Sequence, residues 1–416
     1  MKNNKLRIAI TGATGLLGRN LLFEIIKQNL SNLDNIEVLV LGRSKGNLTI
    51  EERMHQIIVE DGISYLSLND KKIVKRVEEY YKNGIKYIHG DLDEEKLSIG
   101  EGDFKVLKNA PIDFFFHIAA FTDFRDTPNV VMALKRTNIY GTQQILDLIA
   151  TINVKQLCYV STAYACGEKS GIIEPDYIDF NQTFRNPYEL TKLEAEILVR
   201  NFTRRTGIRC RYFRPSTICG RLIEQPLGAV NKFDVFYSWV AFFLRIKLKS
   251  IMSQKDKYIT PIKMDMRICY NMKSGLNIVP ADYAAKIMYQ VCLQDDSGEN
   301  YYLVNNNETP HSLYVPLMLE TLNIGGARHV DRVPDDMNIL EKLYYRTAGK
   351  VFTPYVTSEP MLFNTQNLTK VLSKSKISCP PIDKMNFKIL MEYAKKSDFG
   401  IQNEDSSSSV LARSVN

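Results

Sequence analysis

Short runs of β-branched and aliphatic residues recur along the chain, and most are followed by a stretch whose apolar positions return every three or four residues. The first run covers residues 6–10 and breaks at a glycine-rich turn. Helical spacing then holds over 16–28. Strand-like runs follow at 36–41, 85–88, 113–118 and 156–160, with helical patterns between them, and two more at 208–213 and 301–304, the latter after a helix predicted over 281–293. Strands alternating with helices predict an α/β fold: a Rossmann-like, doubly wound parallel sheet with helices on both faces and a smaller C-terminal lobe.

Two regions break the alternation. The connection from the second strand to the third runs from Gly42 to Gly84 and carries two predicted amphipathic helices, around 51–59 and 71–81. A helical cap and a docking surface for a partner are both consistent with such an insertion. From Arg221 to Lys273 the chain holds ten Lys/Arg against four Asp/Glu, with an apolar stretch over 235–244 that contains the single tryptophan, Trp239. This pattern predicts a domain division in which residues 1–220, completed by about 276–305, form the dinucleotide-binding domain. Residues 221–275 and 306–400 form the substrate lobe, and 401–416 a disordered tail.

Composition narrows the class. With 44% hydrophobic and 24% charged residues over 416 positions, the chain is that of a globular protein with a sizeable core. A net charge of +7 without a long basic block gives no support to nucleic-acid binding. The seven cysteines show no C-x-x-C spacing, so buried free thiols in a reducing compartment are expected, and no metal site. No window reaches the ~18 apolar residues of a membrane span, and the first apolar run is too short for a signal peptide; a cytoplasmic location is expected.

The glycine turn reads Thr11-Gly12-Ala13-Thr14-Gly15-Leu16-Leu17-Gly18. Placed after the first strand and before a helix, it lets backbone approach a pyrophosphate at the positive end of that helix, with Thr11, Thr14 and Leu16 beside it. At the end of the second strand, where an acidic residue would bind the ribose hydroxyls of NAD, the chain has Arg43, Ser44 and Lys45. Arg43, with help from Ser44 or Lys45, would pair with a 2′-phosphate, which favours NADP(H). Asp91 and Leu92 follow the third strand, where an acidic group could meet the adenine edge. Ala119 and Ala120 follow the fourth, next to His117, whose expected role is that of a satisfied core histidine.

Tyr188 and Lys192 stand four residues apart, on one face of a predicted helix. An ammonium beside a phenol would lower its pKa from near 10 towards the working range and make Tyr188 a proton-exchanging group. Such pairs are common in helices, and context gives this one its meaning. Ser161 and Thr162 end the fifth strand at the carboxyl edge of the sheet, where a hydroxyl could orient a carbonyl oxygen. Thr162 is the preferred candidate. Cys166 is expected to be a small apolar filler.

With these residues in view the chain resembles an extended short-chain dehydrogenase/reductase. The nearest likeness is the male-sterility-type thioester-reductase branch, which includes reductase domains of carboxylic acid reductases and nonribosomal peptide synthetases, and fatty acyl-CoA reductases. The segments that carry it are Gly90-Asp91-Leu92, Val160-Ser161-Thr162-Ala163-Tyr164, Tyr188-Glu189-Leu190-Thr191-Lys192, Arg214-Pro215-Ser216 and Asn277-Ile278-Val279-Pro280-Ala281-Asp282-Tyr283. They span about residues 6–305, with weaker likeness to about 400.

The resemblance implies catalysis by Thr162, Tyr188 and Lys192, with Asn138 as a supporting member and Pro215, Tyr188 and Lys192 among the cofactor contacts. It implies hydride transfer from NADPH to an acyl thioester, giving an aldehyde or, after a second round, an alcohol, in lipid or secondary-metabolite synthesis. The thioester would arrive in trans, on CoA or on a separate acyl or peptidyl carrier protein, and the basic segment after Gly220 suits either. A sugar-nucleotide epimerase, a dehydratase or a ketoreductase would share the fold. A non-catalytic dinucleotide sensor would not need both Tyr188 and Lys192.

Overall fold

Ile8 and Ile10 of the first strand pack on one side of a sheet and Ala9 on the other, and the same alternation repeats in every central strand. The computed structural model describes residues 5–67, 70–294, 298–373 and 375–401. Its main sheet comprises β1 (Leu6–Thr11), β2 (Ile36–Gly42), β3 (Ile85–His89), β4 (Ile112–His117), β5 (Val154–Val160), β6 (Arg209–Pro215) and β7 (Asn300–Leu303). They lie side by side in the order β7-β6-β5-β4-β1-β2-β3, every pair parallel. The order reverses between β1 and β4, which opens a crevice at the carboxyl edge, the place where such sheets bind ligands. The Rossmann-like doubly wound sheet anticipated from the alternation is therefore the observed one.

Six helices matter to the site, in chain order α1 (Leu16–Gln28), α2 (Gly141–Thr151), α3 (Pro187–Thr206), α4 (Phe236–Ser250), α5 (Ala281–Cys292) and α6 (Ala348–Val356). Residues of α1 and α5 share one core with Ile8, Val38, Phe116 and Cys158. Residues of α2 and α3 share another with Ala9, Leu39, Phe115 and Tyr159 on the opposite face. A strand buried on both sides reads as a continuous apolar run, which is why these strands are legible as runs rather than as alternations. Each large aliphatic side chain so buried contributes roughly 1.5–3 kcal/mol.

The long insertion belongs to the fold itself. Thr49 and Glu52 form a reciprocal capping box that starts helix Ile50–Ile57, a wider turn over Ile58–Gly62 continues it, and Met54, Ile58 and Tyr65 are buried in the α1 core. Tyr65 stacks on Phe23 at 5.4 Å between ring centroids and donates to Glu24 at 2.7 Å. Asp61 of the same insertion pairs with Arg221, itself 1% exposed, at 2.7 Å.

A third core forms the lobe. Trp239 of α4 is buried there with Tyr237 and Phe243, and its indole N–H donates to the Tyr344 hydroxyl at 3.0 Å. The apolar stretch around Trp239 is thus a core helix. At least half of the basic residues in this segment are internally engaged: Arg221 with Asp61, Lys232 with Asp234, Lys257 with Asp398, Arg267 with Asp336 and Glu341, and Lys247 with the Leu322 carbonyl. Leu368 and Val371, which the sequence pattern assigns to the lobe, pack instead in the α1 core, because helix Gln366–Leu372 crosses back beside β7. Ile401 packs against the lobe core, and the rest of the expected tail, 402–416, lies outside the described residues. All seven cysteines are free. Among the described residues no helix is long and apolar enough to cross a membrane.

Asp282 joins sheet domain and lobe. It is fully buried at the start of α5, and its carboxylate accepts the backbone N–H groups of Leu222, Ile223 and Glu224 at 3.3, 2.7 and 2.7 Å. Burial raises its pKa, and these backbone contacts, together with the bond from Tyr283 N, oppose the rise. Asp282→Asn replaces one acceptor oxygen by a donor facing these N–H groups. It should lower stability by about 1–3 kcal/mol, read as a lower urea midpoint at unchanged slope; an unchanged midpoint would show that the 222–224 turn holds itself.

Candidate active site

The crevice between β1 and β4 widens into a trough of about 650 Å³ that runs across the carboxyl edge of the sheet to the lobe. Gly12 and Gly18 shape its floor. Gly12 has φ of +78°, and a Cβ there would lie 2.7 Å from the Ala119 nitrogen; a Cβ on Gly18 would lie 2.2 Å from the Gly12 carbonyl oxygen. Both glycines are therefore demanded by close backbone approach. The cradle that a side chain would fill lies at the N-terminus of α1, the arrangement that receives a pyrophosphate, so these residues fit a dinucleotide.

The trough brings together most of the residues singled out above. Thr11, Gly12, Thr14, Gly15, Leu16 and Gly18 line it from the first turn. Arg43, Lys45, Asp91 and Leu92 line it from the ends of β2 and β3, and Ala119 and Ala120 from the end of β4. Thr162, Tyr188, Lys192 and Pro215 line the other end. Asn138 does not line it. It is buried in a wide helical turn, Lys135–Tyr140, where its side chain accepts from Phe121 N at 2.8 Å and donates to Phe121 O at 3.0 Å, clamping the segment that forms the trough wall. His117 is a core residue: its ring bridges the hydroxyls of Thr11 at 2.8 Å and Thr142 at 3.2 Å, and burial pushes it down to about 3.

Helix α3 starts where its sequence says it should. Asn186 caps it by accepting from Glu189 N at 3.1 Å, Pro187 occupies the first helical position, and Gly207 ends it with φ of +72°. That start sets Tyr188 in the first turn and Lys192 one turn on. Lys192, 3% exposed, donates to Val160 O at 2.8 Å and to the Tyr159 hydroxyl at 3.2 Å. Burial lowers it to about 8, with Glu196 pulling the other way. Just past the end of β5, the Thr162 hydroxyl accepts from Tyr164 N at 3.3 Å and donates to Pro215 O at 3.4 Å.

The Tyr188 phenol departs from expectation. Burial pushes it up to about 12, the Thr122 hydroxyl opposes this, and Asp234 and Glu189 reinforce it. The Lys192 ammonium makes its hydrogen bonds to Val160 and Tyr159 rather than to the phenol. The Tyr188 hydroxyl is accordingly held in its protonated form.

Arg43 also finds a different setting. Its side chain is 56% exposed, and its guanidinium pairs with Asp91 at 3.2 Å and Asp93 at 3.3 Å. Arg53, from the insertion helix, lines the same end of the trough and donates to the Arg43 carbonyl at 2.6 Å. Partial burial and the Arg43 charge lower the Arg53 pKa. Sequence reasoning passes over Arg53 because it sits inside an amphipathic helix with no motif around it. It also passes over Phe124, Lys232, Asp234 and Tyr355, which wall the other end together with Val235, the first residue of the apolar stretch 235–244. Val235 carries a φ of +51°, unusual for a β-branched residue, and this is the one local signal of function among them, visible only in the backbone. Among the described residues no group of His, Cys, Asp and Glu is placed to hold a metal ion.

A family model described as male sterility protein, an NAD-binding family, matches residues 10–288. The chain belongs to that family. It is thereby one of the extended short-chain dehydrogenase/reductases of thioester-reductase and acyl-CoA-reductase type, which are NAD(P)-dependent oxidoreductases. A linear gramicidin synthase chain of Brevibacillus parabrevis is 23% identical over 92% of this chain, which spans 7% of that protein. Human fatty acyl-CoA reductase 1 is 23% identical over 92% of this chain and 80% of its own length. Among solved structures, the terminal R domain from the myxalamid PKS-NRPS pathway superimposes with a TM-score of 0.69 at 22% identity, covering 95% of this chain and 92% of that one. The chain thus spans a small part of some curated relatives and most of others.

The glycine floor gives a direct test. Gly18→Ala would drive a methyl group into the Gly12 carbonyl and deform the turn. It should weaken reduced nicotinamide dinucleotide binding at least about tenfold in a fluorescence titration; undiminished affinity would mean that the turn yields without altering the cradle.

Proposed function

We propose that the protein is an NADPH-dependent reductase of an acyl thioester, with Thr162, Tyr188 and Lys192 as its catalytic set. The observation that carries the reading is that a neutral, desolvated phenol and a strand-end hydroxyl line the same trough as a dinucleotide cradle. Similarity to a fatty acyl-CoA reductase and to an R domain of a PKS-NRPS pathway supports a thioester as the substrate.

When bound, the reduced nicotinamide supplies a hydride to the carbonyl carbon of the thioester. Tyr188 donates its proton to the carbonyl oxygen, and the Thr162 hydroxyl, turning from its long 3.4 Å bond to the Pro215 carbonyl, donates a hydrogen bond to the same oxygen. The product of this step is a hemithioacetal; its C–S bond breaks, the hydroxyl proton accompanies the departing thiol, and an aldehyde remains. A second hydride and a second proton would give the alcohol. Lys192 has three donors and spends two on Val160 and Tyr159, leaving one for the cofactor ribose. The thiol is that of CoA or of a carrier protein's phosphopantetheine, and the rings of Phe124, Tyr164 and Tyr355 supply apolar walls for the chain it carries.

NADPH is assigned on the two arginines. Arg43 and Arg53 stand at one end of the trough with Lys45, and no carboxylate occupies the position at the end of β2 where the ribose hydroxyls of NAD would be bound. A 2′-phosphate would relieve the mutual repulsion of the two guanidinium groups.

Purified protein should oxidise NADPH with at least one member of a panel of acyl-CoAs, and Tyr188→Phe should lower the rate about 10²-fold or more while NADPH affinity stays the same. Turnover confined to keto acids or nucleotide sugars, or a full rate for Tyr188→Phe, would sink the reading. Arg53→Ala should weaken NADPH about tenfold or more and leave NADH affinity nearly unchanged; equal losses for both cofactors would refute the assignment of the 2′-phosphate.

A further inference from the structure

Tyr355 reaches the site from α6, more than 160 positions after the catalytic helix begins, and no motif marks it. Its hydroxyl donates to Glu189 Oε1 at 2.7 Å and accepts from Asn186 Nδ2 at 2.6 Å. Asn186 is the cap of α3, and Glu189 directly follows Tyr188 in its first turn. The hydroxyl is therefore used up on the protein's own helix and has no proton left for a substrate. Its ring is what faces the trough, edge-on to Tyr164 at 5.5 Å and to Phe124 at 6.2 Å, and Phe124 in turn meets the Tyr188 ring edge-on at 5.4 Å.

Glu189 has no exposure, and an unpaired carboxylate there would be costly. It is held by Arg185, whose backbone N–H donates to Oε2 at 3.0 Å and whose guanidinium lies 3.6 Å from Oε1. The same guanidinium sits over the Tyr355 ring at 5.3 Å and donates to Met361 Sδ at 3.4 Å, a second lobe residue. Burial pushes Glu189 up, and the Arg185 and Tyr355 contacts work to keep it ionised. The lobe thus grips α3 at the turn that carries Tyr188, through a hydroxyl with both of its partners on that helix start.

We infer that Tyr355 is a positioning residue: its two hydrogen bonds to Asn186 and Glu189 fix the first turn of α3, and with it the direction in which Tyr188 presents its proton. The assignment rests on the thioester-reductase reading for its kinetic consequence, and on geometry alone for its structural one. A displacement of the phenol by a fraction of an ångström from its productive position is enough to slow proton transfer, while the groups that bind the rest of the substrate stay where they are.

The test uses Tyr355→Phe in the full chain, which keeps the ring and its packing and removes the hydroxyl. Hydrogen exchange followed by mass spectrometry should show the segment around 185–190 exchanging about tenfold faster, with β5 and α5 unchanged. With an acyl-CoA and NADPH, kcat should fall about tenfold at nearly constant KM. In a double-mutant cycle with Glu189→Gln the two losses should be less than additive, because the Tyr355–Glu189 bond is shared by both variants. Unaltered exchange around 185–190 overturns the inference, as does a KM effect without a kcat effect, which would make Tyr355 only a wall, and so do additive losses in the double variant. If the unaltered protein reduces no thioester, the functional reading fails, and the exchange experiment still decides the role of Tyr355.

Discussion

Lys192 carries a charge into the interface between α3 and β5, and the architecture around it keeps that charge there. Burial alone would favour the neutral amine. Its bonds to the Val160 carbonyl and the Tyr159 hydroxyl, and the carboxylate of Glu196 one turn along α3, offset the loss of water. Burial also pushes Glu196 up, but Arg214 from β6 at 2.7 and 3.0 Å and Arg200 at 2.7 and 2.9 Å prevail and hold it at about 2. The result is an alternating row of charges that crosses from β6 through α3 to β5. Removing one member of such a row typically costs about 3–5 kcal/mol, because it strands the others. The row therefore fixes the helix on the sheet, and the position of Tyr188 follows from it.

The same dryness that makes the row necessary decides the state of the phenol. Tyr188 stays protonated because its surroundings are apolar, and the nearby ammonium spends its hydrogen bonds on the strand. A group in that state gives up a proton when negative charge develops on an oxygen against it, and it takes one with difficulty. On the proposed role of Tyr188, this state suits reduction of a carbonyl better than oxidation of an alcohol. Phe124 packs edge-on against the Tyr188 ring, and Tyr355 and Tyr164 continue that aromatic wall behind it.

The sheet was legible in the sequence because its central strands β1 and β2 are buried on both faces and read as apolar runs, while charged positions such as Lys86 of β3 and Arg211 of β6 interrupt the others. The glycine turn was legible for a similar reason: backbone touches backbone there, and Gly12 and Gly18 have no substitute. Local chemistry likewise announced Thr162, Tyr188 and Lys192, which sit at a strand end and one helical turn apart. Arg53 and Tyr355 were invisible because their roles come from long-range packing, one through an insertion folded back on α1, the other through a lobe that returns to the helix cap. The sign of the shift at Tyr188 was misjudged for the same reason. Spacing brings Lys192 to the right face of the helix, but only the sheet reveals that two of its three donors go to Val160 and Tyr159.

The far end of the trough shows how a pairing seen without ligand bears on cofactor choice. Arg43 is half exposed, and its contacts with Asp91 and Asp93 are of a kind worth about 0–1 kcal/mol in water. Asp93 is also engaged elsewhere, accepting from the Thr137 hydroxyl at 2.7 Å, and Asp91 accepts from Asp93 N at 3.1 Å, so neither carboxylate depends on the arginine. A phosphate dianion offers Arg43 a charge-assisted, bidentate partner roughly twice as strong as a neutral hydrogen bond, and Arg53 stands beside it without a carboxylate of its own among its hydrogen bonds. Exchanging two weak, screened carboxylate contacts for charge-assisted bonds from both arginines would favour the phosphate. On the proposed NADPH assignment, the two acidic residues act as a rest position that keeps Arg43 near the trough, and the positive charge meant for the 2′-phosphate is shared with a helix that the alternating strand pattern would have treated as an interruption.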